Sequence, residues 1–105
     1  MAKFLIRAKY SPAGIQGAIK EGFASREAYI KGLIESLGGK TEAWYFVYGE
    51  DDVIVIVDAA PDAAVAISLA VNQSGAVQLT TTPLLTSADM DQARARLPQY
   101  RAPGA

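Results

Sequence analysis

Neither cysteine nor histidine occurs anywhere in the 105 residues. Their absence excludes disulfides, thiolate nucleophiles, zinc sites built on Cys and His, histidine-ligated haem and any triad that relies on an imidazole base. An excess of one charge is also lacking: 10 Lys and Arg stand against 11 Asp and Glu, interspersed along the chain, for a net charge of −1. With no basic stripe to neutralise phosphates, nucleic acid is not an expected partner. The longest apolar stretches, Val53 to Val57 and Ala63 to Val71, fall well short of the roughly 18 to 20 residues that cross a bilayer. The opening Met1-Ala2-Lys3-Phe4 passes directly into alternation, without the apolar core and small-residue cleavage site of a signal peptide. The expectation is therefore a cytoplasmic chain with no membrane partner.

What is present suits one core. Half of the residues are apolar, 50%, and the length matches one domain with no room for a second. A single domain is expected over 1–97, with 98–105, which holds Pro98, Pro103 and Gly104, as a C-terminal tail. Lys3 to Tyr10 alternates, with Phe4, Ile6, Ala8 and Tyr10 on one face and Lys3, Leu5, Arg7 and Lys9 on the other, the period of a strand. Ser11 and Pro12 supply a cap and a first-turn proline for a short helix carrying Ile15, Ala18, Ile19 and Phe23 at helical spacing. Gly22 interrupts it. Ser25 is the expected cap of a second run whose inward stripe is Ile30, Leu33, Ile34 and Leu37, ended by Gly38-Gly39.

Thr41 to Tyr48 and Val53 to Val57 are aromatic and β-branched, and the polar turn Gly49-Glu50-Asp51-Asp52 between them makes a β-hairpin. Pro61 and Asp62 open the next helix, with Ala64, Ile67, Ser68 and Val71 inward, a stripe broadened by Val65 and Leu69. Gly75 stops it. Val77 to Thr82 alternates again as a fourth strand, and Ser87 caps a short last helix to about Leu97.

The order β-α-β-β-α-β defines an α+β, ferredoxin-like fold: a four-stranded antiparallel sheet with the helices on one face, plus the short C-terminal helix. That arrangement leaves the other face of the sheet bare. The third strand is apolar on both faces, Val53, Val55 and Val57 against Ile54 and Ile56, and wetting one of them forgoes roughly 1.5–3 kcal/mol for each large aliphatic. A second copy, sheet to sheet, is the natural cover, so a homodimer or higher homo-oligomer through the open sheet face is expected.

The run Lys40-Thr41-Glu42-Ala43-Trp44-Tyr45-Phe46-Val47-Tyr48-Gly49-Glu50-Asp51-Asp52-Val53-Ile54-Val55-Ile56-Val57 resembles the core signature of the GYD-domain family. Tyr10-Ser11 with Gly14-Ile15, Lys20-Glu21-Gly22, Arg26, Leu37-Gly38-Gly39-Lys40, Ala60-Pro61-Asp62, Gly75-Ala76-Val77 and the closing Tyr100-Arg101-Ala102-Pro103-Gly104 are similar to its pattern as well. One naming position departs: Asp51 stands before Asp52 where the family usually has tyrosine. The resemblance implies a small bacterial-type protein of the dimeric α/β-barrel kind, and no established biochemical activity.

Candidate chemistry gathers at few positions. Glu50, Asp51 and Asp52 are consecutive carboxylates in one turn. They suit a solvated turn, in which Asp52 bonds its own backbone and Gly49 takes unusual dihedrals, or a ligand-facing rim with a general base. A calcium loop would need spaced ligands and a distal glutamate, so neither a metal nor a cofactor is expected. Arg7 shares a strand face with Leu5 and needs a partner once covered: Asp58, Glu50, a residue of another copy, or an anionic ligand. Tyr10, Trp44, Tyr45, Phe46 and Tyr48 fall at strand positions, where packing is the first reading and a pocket lining with an inward phenol the second. Lys20 and Arg26 flank the helix break as an anion-attracting rim or as plainly solvated charges. Gly14 and Gly17 lack the Gly-Lys-Ser/Thr of a phosphate loop.

Three functions compete. The first is a small-molecule-binding or assembly domain whose ligand-binding residues are Arg7, Tyr10, Tyr48, Glu50, Asp51 and Asp52. The second is a cofactor-independent monooxygenase-, isomerase- or cyclase-like enzyme, with Asp52 as base and Arg7 or Tyr10 stabilising an oxyanion. The third is a purely structural oligomer.

Overall fold

The computed structural model describes residues 2–105; Met1, where the N-terminal reading begins, lies outside the described residues. The elements run β1 (Ala2–Tyr10), α1 (Pro12–Glu21), α2 (Phe23–Ser36), β2 (Lys40–Phe46), β3 (Val53–Ala59), α3 (Pro61–Gln73), β4 (Val77–Leu84) and α4 (Ser87–Ala95). The sheet order is β2-β3-β1-β4 and every pairing is antiparallel. This is the ferredoxin-like α+β arrangement that the alternating elements predict.

Register assigns the faces. Phe4 sits opposite Val57 and Ile6 opposite Val55, and these join Ala8, Val53 and Ala59 in a buried layer closed by Ile34 from α2 and Ala63, Ala64 and Ile67 from α3. The odd residues of β1 face the other way: Leu5 pairs with Ile56 and Arg7 with Ile54, while Thr82 and Thr80 flank them from β4. No described helix lies over that side to bury it; Leu5, Ile54 and Ile56 are only half-buried.

Several sequence expectations need correction. Gly22, at φ 99, closes α1 with its N–H on the Ala18 carbonyl and also opens α2, so α2 starts ahead of Ser25, whose hydroxyl faces the Glu21 carboxylate at 3.4 Å. The chain leaves α2 at Leu37 and turns through Gly38 at φ 81, which carries Leu37 beyond the last packed turn and leaves it exposed. Val65 and Leu69 lie one turn apart on the outer flank of α3 and are exposed; the helix seats on the narrower stripe of Ala63, Ala64 and Ile67.

Thr86, not Ser87, caps α4, in a reciprocal box with Asp89. That helix ends at Ala95 and buries nothing. β2 stops at Phe46, so Tyr48 is an exposed loop residue instead of a strand residue. Gly49 has no positive φ; the glycines that do are Gly22, Gly38, Gly75 and Gly104. Gly14 is required by contact: a Cβ there would stand 1.9 Å from the Ala76 carbonyl oxygen, which already accepts the Ser11 N–H.

Every residue from Thr82 to Ala105 is exposed. The radius of gyration is 17.0 Å with a longest dimension of 56 Å, against about 13 Å for a compact chain of this length. The last helix and tail therefore project as an arm from the packed body.

Candidate functional site

Space in the molecule lies between the layers. α1 carries Ala13, Gly14, Gly17 and Ala18 along one side, and such small side chains cannot fill the angle between α1, α2 and α3. A cleft of about 390 Å³ results, with Glu21, Arg26 and Tyr29 on one wall and Ala70, Val71 and Ser74 on the other. Tyr10, Arg26, Ile30, Val71 and Val77 line both this cleft and a smaller apolar chamber of about 40 Å³ against the sheet. The chamber reaches Trp44, Val53, Val55 and Ile67. A group of that size has room for two or three water-sized units, since one needs roughly 10–15 Å³ by the same measure.

Polar groups are few there. The Arg26 side chain is about three-quarters shielded, and its guanidinium ion-pairs with Glu21 at 3.8 Å, longer than a hydrogen bond, and lies over the Tyr29 ring at 5.6 Å. Trp44 is held by edge-to-face contact with Phe46 at 5.9 Å, and Phe46 by Phe23 at 5.3 Å. Its indole Nε1–H is buried with no hydrogen-bond partner, a costly state for a donor.

The carboxylate turn has a different setting. Asp51 accepts the Arg7 Nε–H at 3.0 Å, so the partner of Arg7 is neither Asp58 nor Glu50, the two proposed for it within the chain. Asp52 donates its main-chain N–H to the Ala8 carbonyl at 2.8 Å, and its Oδ2 accepts the Tyr10 N–H at 2.9 Å; Lys9 stands 3.5 Å from Oδ1. Asp52 thus ties the turn to β1 instead of bonding its own backbone. Glu50 is exposed.

Of the candidate residues, Tyr10, Tyr48 and Asp52 share an open groove of about 360 Å³ with Ile15, Phe23, Phe46 and Val47. Arg7 and Asp51 lie outside it, paired at the open face. Tyr10 alone of the six also lines the interlayer cleft. Of the aromatic cluster for which pocket lining was the second reading, Trp44 walls the inner chamber beside Tyr10, as the strand alternation that pairs it with Val55 allows. Arg26 reaches the cavity, whereas Lys20 does not line it.

At the far end of the open face Lys3 bonds Glu42. That hydrogen bond raises the Lys3 ammonium above the ordinary lysine value; desolvation opposes it, and the charges of Glu42 and Asp58 add to it. Asp58 Oδ1 is buried without a hydrogen-bond partner among the described residues. Among the described residues no group of three or more acidic side chains is placed to hold a metal ion, and no helix is long and apolar enough to cross a membrane.

The fold and cavity define a ferredoxin-like α+β protein with an apolar space between sheet and helices. The family model for the GYD domain matches residues 4–93, most of the chain, and the chain belongs to the GYD-domain family. No curated protein and no solved structure matches it.

Proposed function

We propose that this chain is a cytoplasmic, homo-oligomeric small-molecule-binding domain: copies pair through the open sheet face, and the ligand enters the cleft between the helices and the helix-covered face. The observation that carries the reading is that the open cleft and the apolar chamber at Trp44 share the wall of Tyr10, Arg26, Ile30, Val71 and Val77, adjoining concave apolar spaces with few polar groups. Pairing is supported by the half-buried row of Leu5, Ile54 and Ile56 and by Asp58 Oδ1, a buried acceptor without a donor among the described residues.

Thermal unfolding across a panel of small metabolites tests the reading. A ligand that binds the folded state raises the melting temperature with concentration, as RT ln(1 + [L]/Kd) requires. An unmoved melting temperature across apolar acids, amides and amines of fitting size contradicts it.

A second reading, a cofactor-independent enzyme, draws on the groove that holds Tyr10, Tyr48 and Asp52. It asks Asp52 to act as base while its Oδ2 accepts a main-chain N–H and its Oδ1 faces Lys9. Both oxygens are engaged, which favours a structural tie over proton abstraction.

A further inference from the structure

We infer that the interlayer cavity takes a small organic acid, its carboxylate on Arg26 and its apolar body directed toward Trp44; the inference rests on the binding reading above. Arg26 is the one cationic side chain lining both the cleft and the inner chamber. Its nearest carboxylate, Glu21, stands 3.8 Å away and lines the outer cleft without reaching the chamber. The Arg26 side chain is therefore largely shielded and only loosely ion-paired, at 3.8 Å without a hydrogen bond, with Glu21, and its planar fork matches a carboxylate in two parallel hydrogen bonds. Stacking on Tyr29 at 5.6 Å limits how far it swings out into water.

Size and polarity set the rest. The cleft of about 390 Å³ accommodates a ring or short branched chain, and the chamber beyond it is walled by aliphatic side chains and Trp44. Among the described residues the only other charge on the lining is Glu21, which repels an acid at the mouth and would favour an amine. The balance turns on depth: the shielded cation sits at the junction of the two spaces, the anion at the outer rim.

Three matched probes separate the possibilities: 3-phenylpropionate, 3-phenylpropionamide and 3-phenylpropylamine. Binding to the full-length protein is read by calorimetry and by the emission of Trp44, the only tryptophan. The acid is expected to bind at least about tenfold more tightly than the amide, the size of one charge-assisted contact, and to shift the Trp44 emission. Arg26→Gln removes that preference by weakening the acid more than the amide, Arg26→Lys retains most of it, and Glu21→Gln strengthens the acid. If acid and amide bind alike and Arg26→Gln moves neither, the acid class is overturned while the binding reading stands. Tighter binding of the amine overturns it in favour of Glu21. If none of the three binds, the cavity reading falls as well.

Discussion

The two faces of the sheet are built from alternate residues of the same strands, yet they solve opposite problems. On the helix side Val53, Val55 and Val57 are buried by α2 and α3, and what stays unfilled is a cavity whose wall includes a donor with no acceptor. On the open side Ile54 and Ile56 remain half-exposed between ionic margins, Lys3 with Glu42 at one end and Arg7 with Asp51 at the other. On the proposed reading, one face is completed within the chain and takes a small molecule, and the other gains its cover from a second copy. The lesson is that a period-2 strand apolar on both sides marks two sites rather than one thick core.

Truncation on the completed face has the largest expected effect. Ile34 is 1% exposed, and Ile34→Ala should lower unfolding free energy by about 2–5 kcal/mol in urea denaturation, by lost transfer and a residual cavity. A cost well below that would mean that α2 settles onto the sheet and the interlayer space is soft. Charge placed at the centre of the open face comes next. On the proposed pairing, Ile54→Glu weakens self-association by more than about tenfold, since each covered aliphatic contributes roughly 1.5–3 kcal/mol, while leaving cooperative melting of the single chain intact.

Loss of the projecting arm should matter less. Because α4 buries no residue, deletion of residues 86–105 changes stability within about 0.5 kcal/mol, measured by thermal unfolding. A much larger loss would show that the arm docks on another copy. The smallest effect concerns pH. Lys3 is held above the ordinary lysine value by Glu42, so its contribution is complete below the unfolded lysine's pKa and fades as pH rises through the folded value. Lys3→Met therefore lowers stability slightly and evenly from neutral pH up to the unfolded lysine's pKa, and flattens the alkaline end of the stability profile.

Much of the architecture was legible because the periods were clean. Phe4, Ile6 and Ala8 alternate with Leu5 and Arg7, and Pro12, Pro61 and Gly75 punctuate helices where backbone chemistry demands it. Errors fell where tertiary contact decides. Ser25 has the chemistry of a cap, but the positive φ at Gly22 had already turned the chain into α2. Leu69 matches the helical period, but α3 tilts Ala63 and Ala64 onto the sheet and leaves Leu69 exposed.

The candidate site was harder to see. The consecutive carboxylates Glu50, Asp51 and Asp52 draw attention by composition, yet Asp51 pairs with Arg7 and Asp52 anchors Tyr10. The cavity is made of absence, the small side chains of α1 and the angle between helices, and of the singled-out polar and charged positions Tyr10 and Arg26 reach it. Spacing along a chain does not encode unfilled volume.

Sedimentation equilibrium of the wild-type protein beside Ile54→Glu, at micromolar concentration, tests the division between the faces most directly. The wild type should sediment as a multiple of the 11.1 kDa chain and the variant as one folded chain. A wild type that sediments as a single stable chain would contradict the proposed pairing.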